Sequence, residues 1–89
     1  MKRGLFVIID QVNWHRDYVS RVARSRGFQT ISFTSQEEYD QAMNGRKPDL
    51  FFSAGETHVL FIDKNEKISY FPKPLTAVDL DHICWERNL

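Results

Sequence analysis

The chain has 89 residues, 42% apolar and 27% charged, which leaves room for one globular domain over residues 1–89 with a compact core. Twelve basic residues balance twelve acidic ones, excluding a global positive field that would gather nucleic acid or an anionic membrane. The single Cys84 excludes an internal disulfide and fits a reducing, cytoplasmic setting.

Met1-Lys2-Arg3-Gly4 has the character of a signal-peptide start, but the apolar run Leu5 to Ile9 ends at Asp10, too short for an h-region. Nothing approaches membrane-spanning length. That same run, continuous and rich in β-branched residues, predicts a strand buried on both faces. Asn13 offers a helix cap. Trp14, Tyr18, Val19, Val22 and Ala23 then recur at helical spacing, with Arg16, Ser20, Arg21 and Arg24 on the opposite face and Gly27 as the stop. Phe28 to Thr34 alternates as an edge strand does. Ser35 and Glu38 form a capping-box pattern opening a helix with Tyr39, Ala42 and Met43 inward, ending near Asn44-Gly45.

Leu50-Phe51-Phe52 predicts a second central strand, so the first half reads as strand, helix, strand, helix, strand with right-handed crossovers. Ser53 to His58 is too short for another crossover helix before Val59–Ile62, and Asp63–Lys67 is a polar turn before Ile68–Phe71. These segments predict an antiparallel meander. Thr76 caps a last helix with Leu80, Ile83 and Cys84 as its inner stripe.

Three stretches together resemble the receiver domains of bacterial response regulators. They are Val7-Ile8-Ile9-Asp10-Gln11-Val12-Asn13 with the helix ending in Arg26-Gly27-Phe28; Lys47-Pro48-Asp49-Leu50-Phe51-Phe52; and Tyr70-Phe71-Pro72-Lys73-Pro74-Leu75 followed by Asp79-Leu80. The resemblance covers Leu5 to about Ser53, and again the chain from about Ser69 onward. It implies a shortened CheY-like (flavodoxin-like) α/β fold, with strands 1–3 and 5 parallel and an antiparallel hairpin strand replacing the later helices. It also implies a place in two-component signal transduction.

The departures from the family pattern are chemical. Receivers carry paired acids after the first strand to hold Mg²⁺; here Asp10 is followed by Gln11, and one carboxylate with a neutral amide is a poor site for a hard cation. The phosphoacceptor falls at Ala54, or at Ser53 with a slip of one residue, and neither is a carboxylate. Phosphoryl transfer depends on several positioned groups acting together, so the resemblance implies an inactive member, with no cofactor. Asp10, Gln11, Ala54 and Lys73 would then be the relic of an acid pocket.

Two functional classes follow. The first is phosphorylation-independent signalling by protein contact, through a homodimer or a regulatory partner. Val78 and Trp85 are seven apart on the last helix, with His82 beside them, outside the inner stripe. Large aromatics outside a core are enriched at interfaces. With Tyr70, these residues are the candidate partner surface. The aromatic sheet half around Phe51, Leu60 and Tyr70 has also lost covering helices, which predicts a partner over it. The second class is a ligand-binding or enzymatic domain using Asp10, Glu56, His58 and Lys73 at the carboxyl edge of the sheet, with His58 as base and Glu56 orienting it.

Other patterns point to simpler roles. His82 and Cys84 lie two apart on a helix and diverge, unlike zinc ligands, so no metal is expected. Arg16, Arg21 and Arg24 with Lys2 and Arg3 form a local basic face without interleaved aromatics, so no nucleic-acid partner is expected.

Overall fold

The computed structural model describes residues 3–87; Met1 and Lys2, and with them the Lys2 part of the basic face, lie outside the described residues. The elements run β1 (Leu5–Ile9), α1 (Asn13–Ser25), β2 (Gln29–Phe33), α2 (Gln36–Met43), β3 (Leu50–Ala54), β4 (His58–Asp63), β5 (Ile68–Pro72) and α3 (Ala77–Glu86). They build one sheet in the order β2-β1-β3-β4-β5. All five residues of β1 are buried, as its unbroken apolar run demands of a central strand.

β1 pairs in parallel with β2 and with β3, whereas β4 runs antiparallel to β3 and β5 antiparallel to β4. This corrects the CheY-like (flavodoxin-like) fold class expected from the receiver resemblance. The sheet is mixed: its second half is the antiparallel meander expected from the short connections, and it is the CheY-like class, a parallel sheet, that this arrangement contradicts. Chain length is the physical reason. Only Gly55-Glu56-Thr57 joins β3 to β4 and only Lys64 to Lys67 joins β4 to β5, while a parallel pair needs about a dozen connecting residues.

Alternation along the strands sorts side chains onto two faces. Phe6, Ile8, Leu50, Phe52, Val59 and Phe61 point to one face, where Val19 and Ala23 of α1 and Leu80, Ile83 and Cys84 of α3 cover them. Phe52 and Phe61 meet edge to face, with ring centroids 5.1 Å apart. Each such buried ring stabilises the fold by roughly 1.5–3 kcal/mol relative to an exposed one. On the other face Leu5, Val7 and Met43 form a smaller core with Ile31, Phe33, Tyr39 and Phe51 beneath α2. Beyond Phe51, no described helix covers that face over β4 and β5; there Leu60 and Ile62 are half-buried, and Ile68 and Tyr70 are exposed.

The caps explain two of the helix starts. Ser35 Oγ accepts the Glu38 N–H at the start of α2, and Thr76 and Asp79 exchange side-chain bonds in a full capping box at α3. At α1 the cap position is Val12, without a side-chain cap bond, and Asn13 is instead the first helical residue, accepting from Arg16. The inner stripe of α1 also differs from the expectation. Trp14 is 62% exposed, whereas His15 and Ser20 are buried. His15, Val19, Val22 and Ala23 share the inner stripe at helical spacing, and Trp14 is rotated by about 100° from it. Ala42 of α2, expected inward, is exposed.

Gly4 adopts φ +116°, and a Cβ there would collide with the Asp49 carboxylate. That carboxylate accepts the Leu5 N–H at 2.7 Å, while the Asp49 N–H donates to Leu5 O at 2.9 Å. The start of β3 is thereby stapled to the start of β1. No helix among the described residues is long and apolar enough to cross a membrane.

Candidate functional site: a polar groove at the carboxyl ends of the parallel strands

Parallel strands deliver their carboxyl ends to one edge, and ligands of open α/β sheets usually bind there. A groove of about 660 Å³ lies at this edge, between the ends of β1 and β3 and the start of α2. Asp10, Gln11, Ala54 and Lys73, the expected relic pocket, all line it, as do Ser53 and Glu56.

Asp10 is only 1% exposed. Its Oδ1 accepts the Val12 N–H at 2.9 Å, and its Oδ2 lies 2.5 Å from His15 Nδ1. His15, fully buried, accepts the Leu75 N–H at Nε2, 3.0 Å away. A ring nitrogen that accepts an amide hydrogen carries no proton of its own. The geometry therefore assigns the neutral tautomer with hydrogen on Nδ1, donating to Asp10. Lys73 Nζ stands 3.8 Å from Asp10 Oδ1 and donates to Gly55 O at 3.2 Å. Arg16 donates to the Asp10 backbone carbonyl at 2.8 Å.

Asp10 is thus an internal anchor, tying the end of β1 to α1 and to the segment leading into α3. The Mg²⁺ of the receiver family does not fit these residues. A hard cation needs several free oxygen ligands, whereas both Asp10 oxygens are engaged and Ala54 offers a methyl group. No group of three or more His, Cys, Asp or Glu among the described residues is placed to hold a metal ion.

The residues of the enzymatic reading are only partly brought together. Glu56 and Lys73 line the groove with Asp10, but exposed His58 bonds its own neighbour, with Thr57 Oγ1 2.9 Å from Nδ1. The candidate partner residues divide between two surfaces. Tyr70, 70% exposed, lies on the α2 side of the sheet, while Val78 at 76% and Trp85 at 79% project from α3 in the opposite layer. His82 stacks on Trp85 with centroids 6.4 Å apart, and its Nε2 is 3.5 Å from Glu86. Cys84 is buried, and desolvation pushes its thiol pKa up, away from nucleophile character.

Two buried links had not been picked out from the sequence. His15 could have been found from its helical phase with Val19 and Val22, five residues after Asp10. The other joins Asp63 to Arg87, whose Nη1 lies 3.1 Å from Asp63 Oδ2 and donates to Lys67 O at 2.7 Å. Arg87 Nη2 also donates to Ser69 Oγ. Burial pushes the Asp63 carboxyl up, but the Lys67 and Asn65 amides and Arg87 outweigh it and hold its pKa below the usual value. The pair fastens the end of α3 to the β4–β5 turn. Comparison with protein-family models, curated proteins and solved structures finds no match to this chain, so its function rests on the geometry of its own residues.

Proposed function

We propose that this chain is a non-phosphorylatable pseudo-receiver, a signalling module that works by protein contact in the cytoplasm, on a second copy of itself or a regulatory partner. The observation that carries the reading is the state of the groove. Asp10 is committed to Val12 and His15, and the strand end facing the groove is Ala54, which cannot form an acyl phosphate. Exposed apolar side chains on α3 and β5 support the contact half of the reading, because such patches mark interaction surfaces. The ligand or enzyme reading is less well supported, since His58 turns to Thr57 and Asp10 is held by internal partners.

The test is exposure of the purified chain to acetyl phosphate with Mg²⁺, followed by intact-mass measurement before and after acid treatment. The expected result is an unchanged mass. An acid-labile phosphoryl adduct would overturn the proposal.

A further inference from the structure

The bonds from Asp10 through His15 to Leu75 join three parts of the fold and occupy both nitrogens of one buried ring. His15 Nδ1 stands 2.5 Å from the Asp10 carboxylate, and Nε2 accepts the Leu75 amide at 3.0 Å. Leu75 lies on the segment between β5 and α3, and its own side chain is buried in the core beneath α1 and α3. Asp10 lines the polar groove, so the ring has a bonded link to a cleft that faces solvent.

We propose that these bonds form a proton-operated latch: neutral His15 holds the β5–α3 segment in place, and protonation of the ring releases it. The latch goes beyond the contact reading and does not depend on it. Val78 and Trp85 are carried on α3, however, so an open latch would loosen the surface which that reading uses.

The donor count sets the direction. An imidazolium donates from both nitrogens and accepts at neither. With Nδ1–H directed at Asp10, the added proton goes on Nε2 and faces the Leu75 N–H. Two donors then oppose each other in a buried site, where an unmade hydrogen bond is costly. Moving Leu75 away lets water satisfy both. The open segment therefore binds one proton more than the closed one, and acid favours opening. A proton on Asp10 Oδ1 would instead displace the bond from Val12, and an imidazole is the more basic group.

The charged groups around the ring agree with this sense. Lys73 belongs to the released segment and places its ammonium 3.8 Å from Asp10, so opening also relieves its repulsion of an imidazolium. Asp10 stays paired with the ring in both states, and Arg16 of α1 stays on the Asp10 carbonyl. From β3 the ring meets Phe52, which does not titrate, and on α1 it meets Trp14. Asp79 at the start of α3 is closed in its capping box with Thr76.

The experiment is nuclear magnetic resonance on the full chain, with His15→Gln and His82→Gln beside the wild type. Histidine ordinarily titrates between about pH 5 and 8, which sets the range to scan. Proton–nitrogen spectra read the protonation of each ring. Amide exchange, corrected for its intrinsic pH dependence, compares Leu75 with Asp10, whose N–H bonds Phe33 O in the sheet. The expected result is hydrogen on Nδ1 at the alkaline end. Leu75 protection then falls by about tenfold per pH unit as His15 takes up its proton, while Asp10 protection holds. The His15→Gln side chain keeps an acceptor but cannot titrate, so its Leu75 protection is flat, and His82→Gln follows the wild type. Hydrogen on Nε2 at the alkaline end, a His15 that stays neutral, or a protonated His15 with Leu75 still protected overturns the inference. So does parallel loss of protection at Asp10, which marks global unfolding, or a pH dependence retained in His15→Gln. The wild-type spectra decide the first four outcomes even where His15→Gln does not fold.

Discussion

The two faces of the sheet are built to different specifications. The face under α1 and α3 is continuous from Phe6 to Phe61, and both buried acids, Asp10 and Asp63, have their partners in that layer. The opposite face is apolar and closed beneath α2, but open over β4 and β5, and Ile68 and Tyr70 project from it. The first face holds the fold together. The second is one layer short, and that is where association can be gained without disturbing the core.

Substitutions sharpen the contrast. Phe61→Ala empties the centre of the covered face and is expected to cost about 4 kcal/mol in chemical denaturation, a large share of a small domain's stability. Arg87→Ala leaves Asp63 buried without its cation and is expected to cost about 3 kcal/mol. Equal stabilities of Arg87→Ala and wild type would mean that the ion pair is ornamental to the covered face.

The same acid gives a pH signature. Its folded pKa lies below the ordinary 3.8, so the unfolded chain binds more protons between the two values. Asp63 therefore contributes stability that is full above the unfolded value and is lost as pH falls through the folded one. Denaturation series from neutral pH down to strong acid should show a shallower acid-side slope in Asp63→Asn than in wild type.

His15→Ala removes the donor to Asp10 and the acceptor for Leu75, and is expected to cost about 2 kcal/mol. Tyr70→Ala, on the open face, should change stability by less than about 0.5 kcal/mol at concentrations where the chain is monomeric. A loss comparable to that of Phe61→Ala would show that the open face is part of the core, and the contrast between the faces would fail.

Much of the local structure was legible in the residues. The apolar run Leu5–Ile9, the capping residues Ser35 and Thr76, and the alternation in Phe28–Thr34 mark elements that lie where expected, because strand and helix periods act over a few neighbouring residues. The receiver-like fold class did not survive. Motifs such as Pro48-Asp49-Leu50 and Lys73-Pro74 report local turns and strand starts, whereas the short connections after Leu50–Phe52 and Val59–Ile62 already dictated the antiparallel meander that the structure has. The helix phase at Trp14 was misjudged. Trp14 shares helical spacing with Tyr18, but the stripe that faces the sheet is His15, Val19, Val22 and Ala23, and Asp10 bonds His15 within it.

The candidate site divides along the same line. The chemistry that the groove lacks was legible in the residues, since neither Gln11 nor Ala54, where the receiver resemblance would place carboxylates, carries one, and side-chain identity is a property of the chain alone. Whether Asp10 is free or spent, and whether Tyr70 shares a surface with Trp85, belong to the tertiary structure. The first is decided by Leu75, sixty residues from His15, occupying the far nitrogen of its ring. The second follows from the register of β5 on β4 and the packing of α3 beneath the sheet, contacts between distant segments that local pattern does not encode.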